Sequence, residues 1–166
     1  MSITAGITFA DSDPAKVKAP EKAETAAEGT LLPYEGILLP YMSPAEGRKL
    51  FASKGCVVCH AINGIGGEDA PPLDAATMPA IMDPFDFAAK MWQGAGTMIT
   101  MQEDELGEQI EFTGKELANI IAFVHSASEQ KNFVKEDIPP RIAKLMKDGE
   151  EEEEKGEEHE KKEPNQ

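Results

Sequence analysis

Two cysteines and a histidine stand close together in the sequence Cys56-Val57-Val58-Cys59-His60. Two thiols three positions apart lie on one helical turn, so each can form a thioether to a vinyl group of a haem. His60, the next residue, would then lie beneath the iron and could offer an imidazole nitrogen as the proximal ligand. The spacing therefore predicts covalent attachment of one haem c.

Two other kinds of site use paired cysteines. A structural zinc site needs a second ligand pair, but the only other histidines are His125 and His159, and there is no further cysteine. A thioredoxin-like dithiol follows a strand and begins a helix in a βαβ unit, and no such pattern surrounds this motif. A dithiol oxidoreductase without haem remains the alternative interpretation.

The composition limits the possible partners. The 166 residues suit one domain with tails, and the net charge is −15. That charge disfavours nucleic acid and anionic membrane surfaces, and it favours redox-partner proteins with basic docking surfaces. No apolar run approaches the roughly 18 to 20 residues of a membrane span.

We expect residues 1–42 to precede the domain. Ile3 to Ala10 is weakly apolar, and its end, Thr8-Phe9-Ala10, loosely fits a small-residue cleavage site before Asp11. The stretch could therefore be the stub of an incomplete export signal, which would make the protein periplasmic or otherwise exported. A linker follows to about residue 30. From Leu31 to Tyr41 the sequence Leu-Leu-Pro-Tyr occurs twice, and its prolines favour an extended strap. This strap could pack on its own domain or dock to a partner subunit.

Three helices are predicted between residues 43 and 128. Ser43-Pro44-Ala45-Glu46 reads as a capping box with proline at the first helical position, so the first helix should run to about Ser53. The second should run from Asp83-Pro84 to about Gln93. The third should begin at Thr113 in a second capping box, and end near Ser126 to Ser128. Its apolar stripe has helical spacing and consists of Leu117, Ile120, Ile121 and Val124.

Loops should connect these helices, and a further segment should follow them. Residues 61–79 are rich in glycine and proline, and the stretch from Gly94 through Met98 and Met101 is predicted as a loop. Residues 129–147 are predicted as a short extension with a helix over 137–147. Residues 148–166 carry Asp148 and nine glutamates against three lysines, which is typical of a disordered acidic tail.

From Ser43 to Ser128 the chain resembles a bacterial, monohaem class I c-type cytochrome. The resemblance rests on Gly47 and Phe51 in the first helix, the haem motif, the loop with Pro71 and Leu73, the methionine loop and Phe123 in the last helix. It implies an all-α, cytochrome c-like fold around one covalent haem, with the first and last helices crossing at the glycine. It also implies that the Pro71 carbonyl accepts a hydrogen bond from the proximal imidazole, with Pro72 as the adjacent alternative.

Eight methionines compete for the distal position on the iron. We favour Met98, because it follows a glycine-rich approach and stands six residues after Trp92, as in a bacterial subgroup of the family. Met101 is the runner-up. The family usually has proline directly after its ligand, whereas Ile99 follows here. Further alternatives are Met78, Met82 and, as a second histidine ligand, His125.

These features predict a function in electron transport. An iron with a histidine and a methionine ligand has no open position for a substrate, so the expected role is carriage of single electrons rather than catalysis. A second form of this role is a cytochrome subunit fixed in a larger respiratory or redox complex through the strap. If no methionine binds the iron, a gas- or peroxide-binding haem protein is the remaining class.

Overall fold

The computed structural model describes residues 29–31 and 36–148. The predictions for the export signal, the linker and the acidic tail beyond residue 148 lie outside these residues. The described part is mainly helical, which confirms the all-α prediction. Its α-helices are α1 (Pro44–Ser53), α2 (Cys56–Cys59), α3 (Pro84–Gln93), α4 (Ala95–Leu106), α5 (Gly114–Val124) and α6 (Ala127–Gln130).

Three short elements complete the described chain. Strand β1 (Gly29–Leu31) pairs antiparallel with β2 (Leu38–Pro40), so this part of the strap is extended, and β2 contacts α5. Single 3-10 turns occur at Ala75–Thr77 and Lys135–Asp137. Residues 140–148 are helical, which overlaps the helix predicted over 137–147 but begins three residues later, after the 3-10 turn. No helix in the described ranges is both long and apolar enough to cross a membrane.

The core forms where α1 crosses α5. Phe51 from α1 and Phe123 from α5 are fully buried, and their ring centroids are 5.7 Å apart. Phe133 packs edge-on against both rings, at 5.6 and 5.8 Å. Phe133 and the buried Ile142 both come from the segment that the sequence assigned to an extension. Residues 129–147 therefore contribute side chains to the same core as the helices.

Arg48 fixes this segment to α1 from the outside. Its Nε donates to Glu129 at 2.8 Å and its Nη1 donates to Asp137 at 2.6 Å. All three side chains are about one-fifth exposed, and the hydrogen bonds to Asp137 and Glu129 raise the pKa of Arg48. The ion pairs thus hold both ends of the turn that delivers Phe133.

The caps of the helices follow the sequence predictions with one exception. Asp83 caps α3, and Thr113 with Glu116 forms the predicted capping box of α5. At α1, the Ser43 hydroxyl accepts from the amide of Glu46, but the N–H of Ser43 donates to Oδ1 of Asn119 at 2.8 Å. The capping box predicted at α1 is therefore only half formed, because a buried side chain of the crossing helix takes the second position.

The loop predicted around Met98 and Met101 is wrong, because this stretch is helix α4. Gly94 serves as the end of α3 and the start of α4 (φ −89°, ψ 0°), so the glycine redirects the chain without opening a loop. Most of the following residues are strong helix formers such as alanine, methionine, glutamine, glutamate and leucine. The helix ends only at Gly107, which has the left-handed φ of 78°.

Candidate functional site

The two cysteines lie on the single turn α2. Gly55, with φ 91°, turns the chain from α1 into α2 in a conformation that favours glycine. Val57 and Val58 between the cysteines are buried in the core. Cys56 and Cys59 are half-buried and are not joined to each other by a disulfide. The valines thus fix the turn to the core while both sulfur atoms lie on the same turn, as two thioethers to one haem require.

The surroundings of these thiols disfavour dithiol redox chemistry. Burial raises the pKa of Cys56 to about 12. Burial also raises the pKa of Cys59 to about 11, with a further contribution from the negative charges of Asp69 and Glu105. A dithiol oxidoreductase requires a thiol whose pKa is lowered, because the thiolate is the nucleophile. The raised pKa values of both thiols therefore count against the alternative without haem.

His60 is oriented by a carbonyl of the loop that follows. Its Nδ1 lies 2.8 Å from the carbonyl oxygen of Pro71, and this bond is made to Pro71 rather than to Pro72. With Nδ1 donating its proton, Nε2 is the lone-pair nitrogen and can bind a metal. On either side of Pro71, Ala70 N donates to the Cys59 carbonyl at 3.0 Å and Leu73 N donates to the Ala61 carbonyl at 2.9 Å.

Two glycines allow this loop to approach the motif closely. A Cβ on Gly66 would collide with the His60 carbonyl, and a Cβ on Gly67 would collide with the Val58 carbonyl. Gly67 N also donates to the carbonyl of Val57 at 3.0 Å. The sequence marked this stretch only as a loop, but its glycines are what bring the loop, and with it Pro71, against the cysteine turn.

Helix α4 carries both favoured distal candidates. Met98 and Met101 are half-buried and stand three residues apart, so they share one side of the helix. The carboxyl end of α4 reaches the cysteine turn, because a Cβ on Gly55 would lie 3.0 Å from Cδ1 of Leu106. Gly55 and Leu106 were not among the predicted site residues, although a glycine directly before the motif was a usable signal.

The other candidates stand elsewhere. Met78 and Met82 are half-buried in the segment before α3. His125 ends α5, and its buried Nδ1 makes no hydrogen bond within the described residues. The structure therefore brings Cys56, Cys59, His60 and Pro71 together, while the choice between Met98 and Met101 stays a prediction.

The residues present fit a haem c. The donor set contains two thiols on one turn, an imidazole with its second nitrogen engaged, and thioethers on a neighbouring helix. Neither α3 nor α4 buries a single residue, although both contribute half-buried apolar side chains. Those of α3 include Phe87 and Met91, and those of α4 include Met98 and Ile99. An apolar group held by the cysteines would find apolar contacts on these helices.

Comparison with known proteins gives a consistent result. The family model described as Cytochrome c matches residues 44–128, just over half of the 166-residue chain. The matched range includes α1 to α5 and therefore the cysteine turn, the Pro71 loop and both favoured methionines. No curated protein and no solved structure matches the chain.

Proposed function

The chain belongs to the cytochrome c family, which carries covalently attached haem c, and we propose that it transfers single electrons between redox partners through an iron ligated by His60 and Met98. The observation that carries this proposal is the 2.8 Å contact between Nδ1 of His60 and the Pro71 carbonyl. This contact is the arrangement expected of a proximal ligand, because it fixes the ring and leaves Nε2 for the iron.

Each residue of the site has a separate task. Haem c supplies the one-electron chemistry at its iron when bound. Cys56 and Cys59 hold the group in place through two thioethers, and the buried valines between them keep their turn from moving. The Pro71 carbonyl holds the imidazole and raises its basicity, which stabilises the ferric state. A ligand that is held in both oxidation states suits fast electron transfer, because little rearrangement accompanies the change of charge.

Met98 is proposed as the distal ligand, with Met101 as the runner-up. A thioether is a soft ligand that raises the reduction potential and closes the last position on the iron. Both residues lie on α4, whose other end contacts the cysteine turn at Gly55. This placement supports a methionine from α4, and the resemblance around Trp92 favours Met98 between the two. A closed iron supports a carrier rather than an enzyme.

The optical spectrum of the oxidised protein tests this assignment. Sulfur ligation gives a weak near-infrared band, which should disappear in Met98→Leu and persist in Met101→Leu. Met91→Leu is the matched control, because Met91 is also half-buried but lies on α3. Loss of the band in Met101→Leu alone would move the ligand to Met101. A high-spin wild-type spectrum that shifts with carbon monoxide would favour a gas- or peroxide-binding protein instead.

Covalent attachment has its own test. A haem stain after denaturing electrophoresis should label the wild-type chain and should not label the Cys56→Ala, Cys59→Ala double variant. Noncovalent contacts between the chain and the haem cannot cause this difference in staining, because denaturation removes such contacts in both proteins. Staining of the double variant would contradict the attachment site.

The redox partners proposed here have basic docking surfaces. Asp69 and Glu105 lie close enough to Cys59 to raise its pKa, so acidic side chains stand beside the turn that holds the haem. Opposite charge on a partner would speed the encounter and orient it, and small, short-lived interfaces are typical of such pairs. Cytochrome c domains are commonly exported, and we propose the periplasm and a respiratory chain as the setting.

A fixed subunit of a larger redox complex is the second candidate. It is favoured by the exposed apolar side chains of the strap, where Ile37, Leu38 and Tyr41 are 48%, 54% and 54% exposed. Deletion of residues 29–41 should then release the chain from a complex of defined mass in native electrophoresis of a source extract. Migration as a free protein with and without the deletion would support the diffusing carrier.

A further inference from the structure

Gln130 has a buried polar side chain and is not one of the residues proposed to hold the haem. It is the last residue of α6 and only 2% exposed. It stands two residues beyond the range that the family model matches. A buried amide is costly unless its donors and acceptor are satisfied, so the contacts of this side chain show what it holds.

The amide of Gln130 joins the end of α5 to the loop after the haem motif. Its Nε2 donates to the carbonyl of Leu73 at 2.9 Å and to that of Val124 at 3.0 Å, with the Phe123 carbonyl at 3.4 Å. Its Oε1 accepts from the N–H of Ala75 at 2.8 Å. Turning the amide over would face its oxygen toward three carbonyl oxygens, so only one orientation satisfies the group.

The main chain of the same residue holds the beginning of that loop. The Gln130 carbonyl accepts from Nδ2 of Asn63 at 3.0 Å. Asn63 has φ 51°, in the left-handed region, and its own N–H donates to the carboxylate of Asp74. Gln130 therefore contacts the loop on both sides of Pro71, at residue 63 before it and at residues 73 and 75 after it.

We propose that Gln130 is a positioning residue for the proximal ligand: by holding Leu73 and Ala75 against the end of α5, it keeps the Pro71 carbonyl at Nδ1 of His60. The inference rests on the proposed function, since it requires His60 to bind the iron. Pro71 has no side-chain hydrogen bond of its own and is exposed. Its carbonyl is therefore only as fixed as the backbone around it. Ala70 and Leu73 bond to the motif on either side of Pro71, and Gln130 adds an anchor at Leu73 and Ala75.

Two properties of the loaded protein should report this role. A looser Pro71 carbonyl protects the Nδ1 proton of His60 less well against exchange with solvent. It also makes the imidazole a weaker base, which removes stabilisation from the ferric state and shifts the reduction potential upward. The proton exchange is a local readout and does not depend on any redox partner.

The main variant is Gln130→Met in the haem-loaded full chain, because methionine keeps the length of the side chain and removes the hydrogen bonds of the side-chain amide, while the bond from Asn63 to the main-chain carbonyl stays. We expect exchange of the His60 Nδ1 proton, followed by NMR, to become roughly tenfold faster, the ratio that corresponds to one buried hydrogen bond. The potential should shift to a more positive value. The near-infrared sulfur band should be unchanged, since α4 is not touched.

Phe133→Leu is the control for general loss of stability. Phe133 packs on the same core three residues later, and its ring packs edge-on against Phe51 and Phe123. Even if Phe133→Leu lowers the unfolding free energy as much as Gln130→Met does, it should leave the exchange rate of the His60 proton and the reduction potential near their wild-type values. Equal shifts in both variants would overturn the proposal, as would unchanged values in Gln130→Met.

A second variant covers failure of Gln130→Met to fold. Ala75→Pro removes the N–H that Gln130 accepts, and Asp74 already has the extended backbone that precedes proline (φ −71°, ψ 122°). Ala75→Pro should shift the exchange rate and the reduction potential in the same direction as Gln130→Met, but by less. The absence of any shift would contradict the proposal. If the wild-type protein lacks a histidine-bound iron, the proposed function fails. If it has one, and neither variant changes the exchange rate or the potential, only the role of Gln130 fails.

Discussion

The backbone of Gly47 in α1 touches the carbonyl oxygen of Asn119 in α5. A Cβ on Gly47 would collide with that oxygen and lie 2.7 Å from Cβ of Phe123. The side chain of Asn119 meanwhile accepts the N–H of Ser43 at 2.8 Å, at the start of α1. One residue of α5 thus holds both the first turn and the middle of the helix that leads into the cysteine turn.

Gly47→Ala should therefore destabilise the protein by about 3 kcal/mol, because two backbones would have to separate to admit one methyl group. Urea denaturation of the loaded protein measures this loss. Gly114→Ala is the matched control, since nothing lies within 4 Å of its added Cβ, and it should change the unfolding free energy by no more than about 1 kcal/mol. Similar results for both variants would show that the helices can move apart at little cost.

Sequence patterns were sufficient where local chemistry decides the structure. The caps at Asp83 and Thr113 begin α3 and α5 where predicted, because a short polar side chain satisfies a free N–H of the first turn. The crossing at Gly47 followed from the resemblance and agrees with the packing of α1 on α5. The turn of cysteines could be predicted from spacing alone.

Long-range contacts explain what the sequence did not show. The stretch after Gly94 was predicted as a loop, because the local pattern does not reveal that this glycine joins two helices. Nothing in the sequence around Gln130 indicates its contacts with residues 55 to 67 positions away. The distal ligand also stays open, because Met98 and Met101 lie on the same side of α4 and spacing cannot separate them.

The acidic side chains beside Cys59 should control the rate of electron transfer to a basic partner. In the double variant Asp69→Asn, Glu105→Gln, we expect the second-order rate at low ionic strength to fall roughly 3- to 10-fold, with a weaker dependence on salt. Stopped-flow oxidation of the reduced protein by a small basic redox protein measures both effects. The reason is that attraction near the haem turn orients the encounter, whereas salt screens it.

Glu136→Gln is the control for charge alone. Glu136 is exposed in the turn Lys135–Asp137 and does not contribute to the pKa of Cys59. The substitution removes one negative charge, half of what the double variant removes. If Glu136→Gln lowers the logarithm of the rate by half as much as the double variant does, net charge, and not position beside Cys59, governs the encounter.

Glu116 should make stability depend on pH in the acid range. Its carboxylate accepts from the N–H of Thr113 at 2.8 Å, and it also pairs with Lys54 at 2.9 Å, two residues before the cysteine turn. The hydrogen bond from Thr113 N–H, then that from Lys54, lowers the pKa of Glu116 from 4.5 to about 2. Because the folded pKa lies below the unfolded one, the stabilisation is present above pH 4.5 and is lost as the pH falls through about 2.

Glu116→Gln should therefore lower the urea midpoint of the loaded protein at pH 6 and approach the wild-type midpoint between pH 4.5 and 2. Its control is Glu108→Gln, which removes the same charge from an exposed ion pair with Arg141, the side chains being 70% and 67% exposed. Such pairs contribute little, so this midpoint should stay close to that of the wild type. A deficit in Glu116→Gln that is as large at pH 2 as at pH 6 would show that the carboxylate acts through shape and hydrogen bonding rather than through its charge.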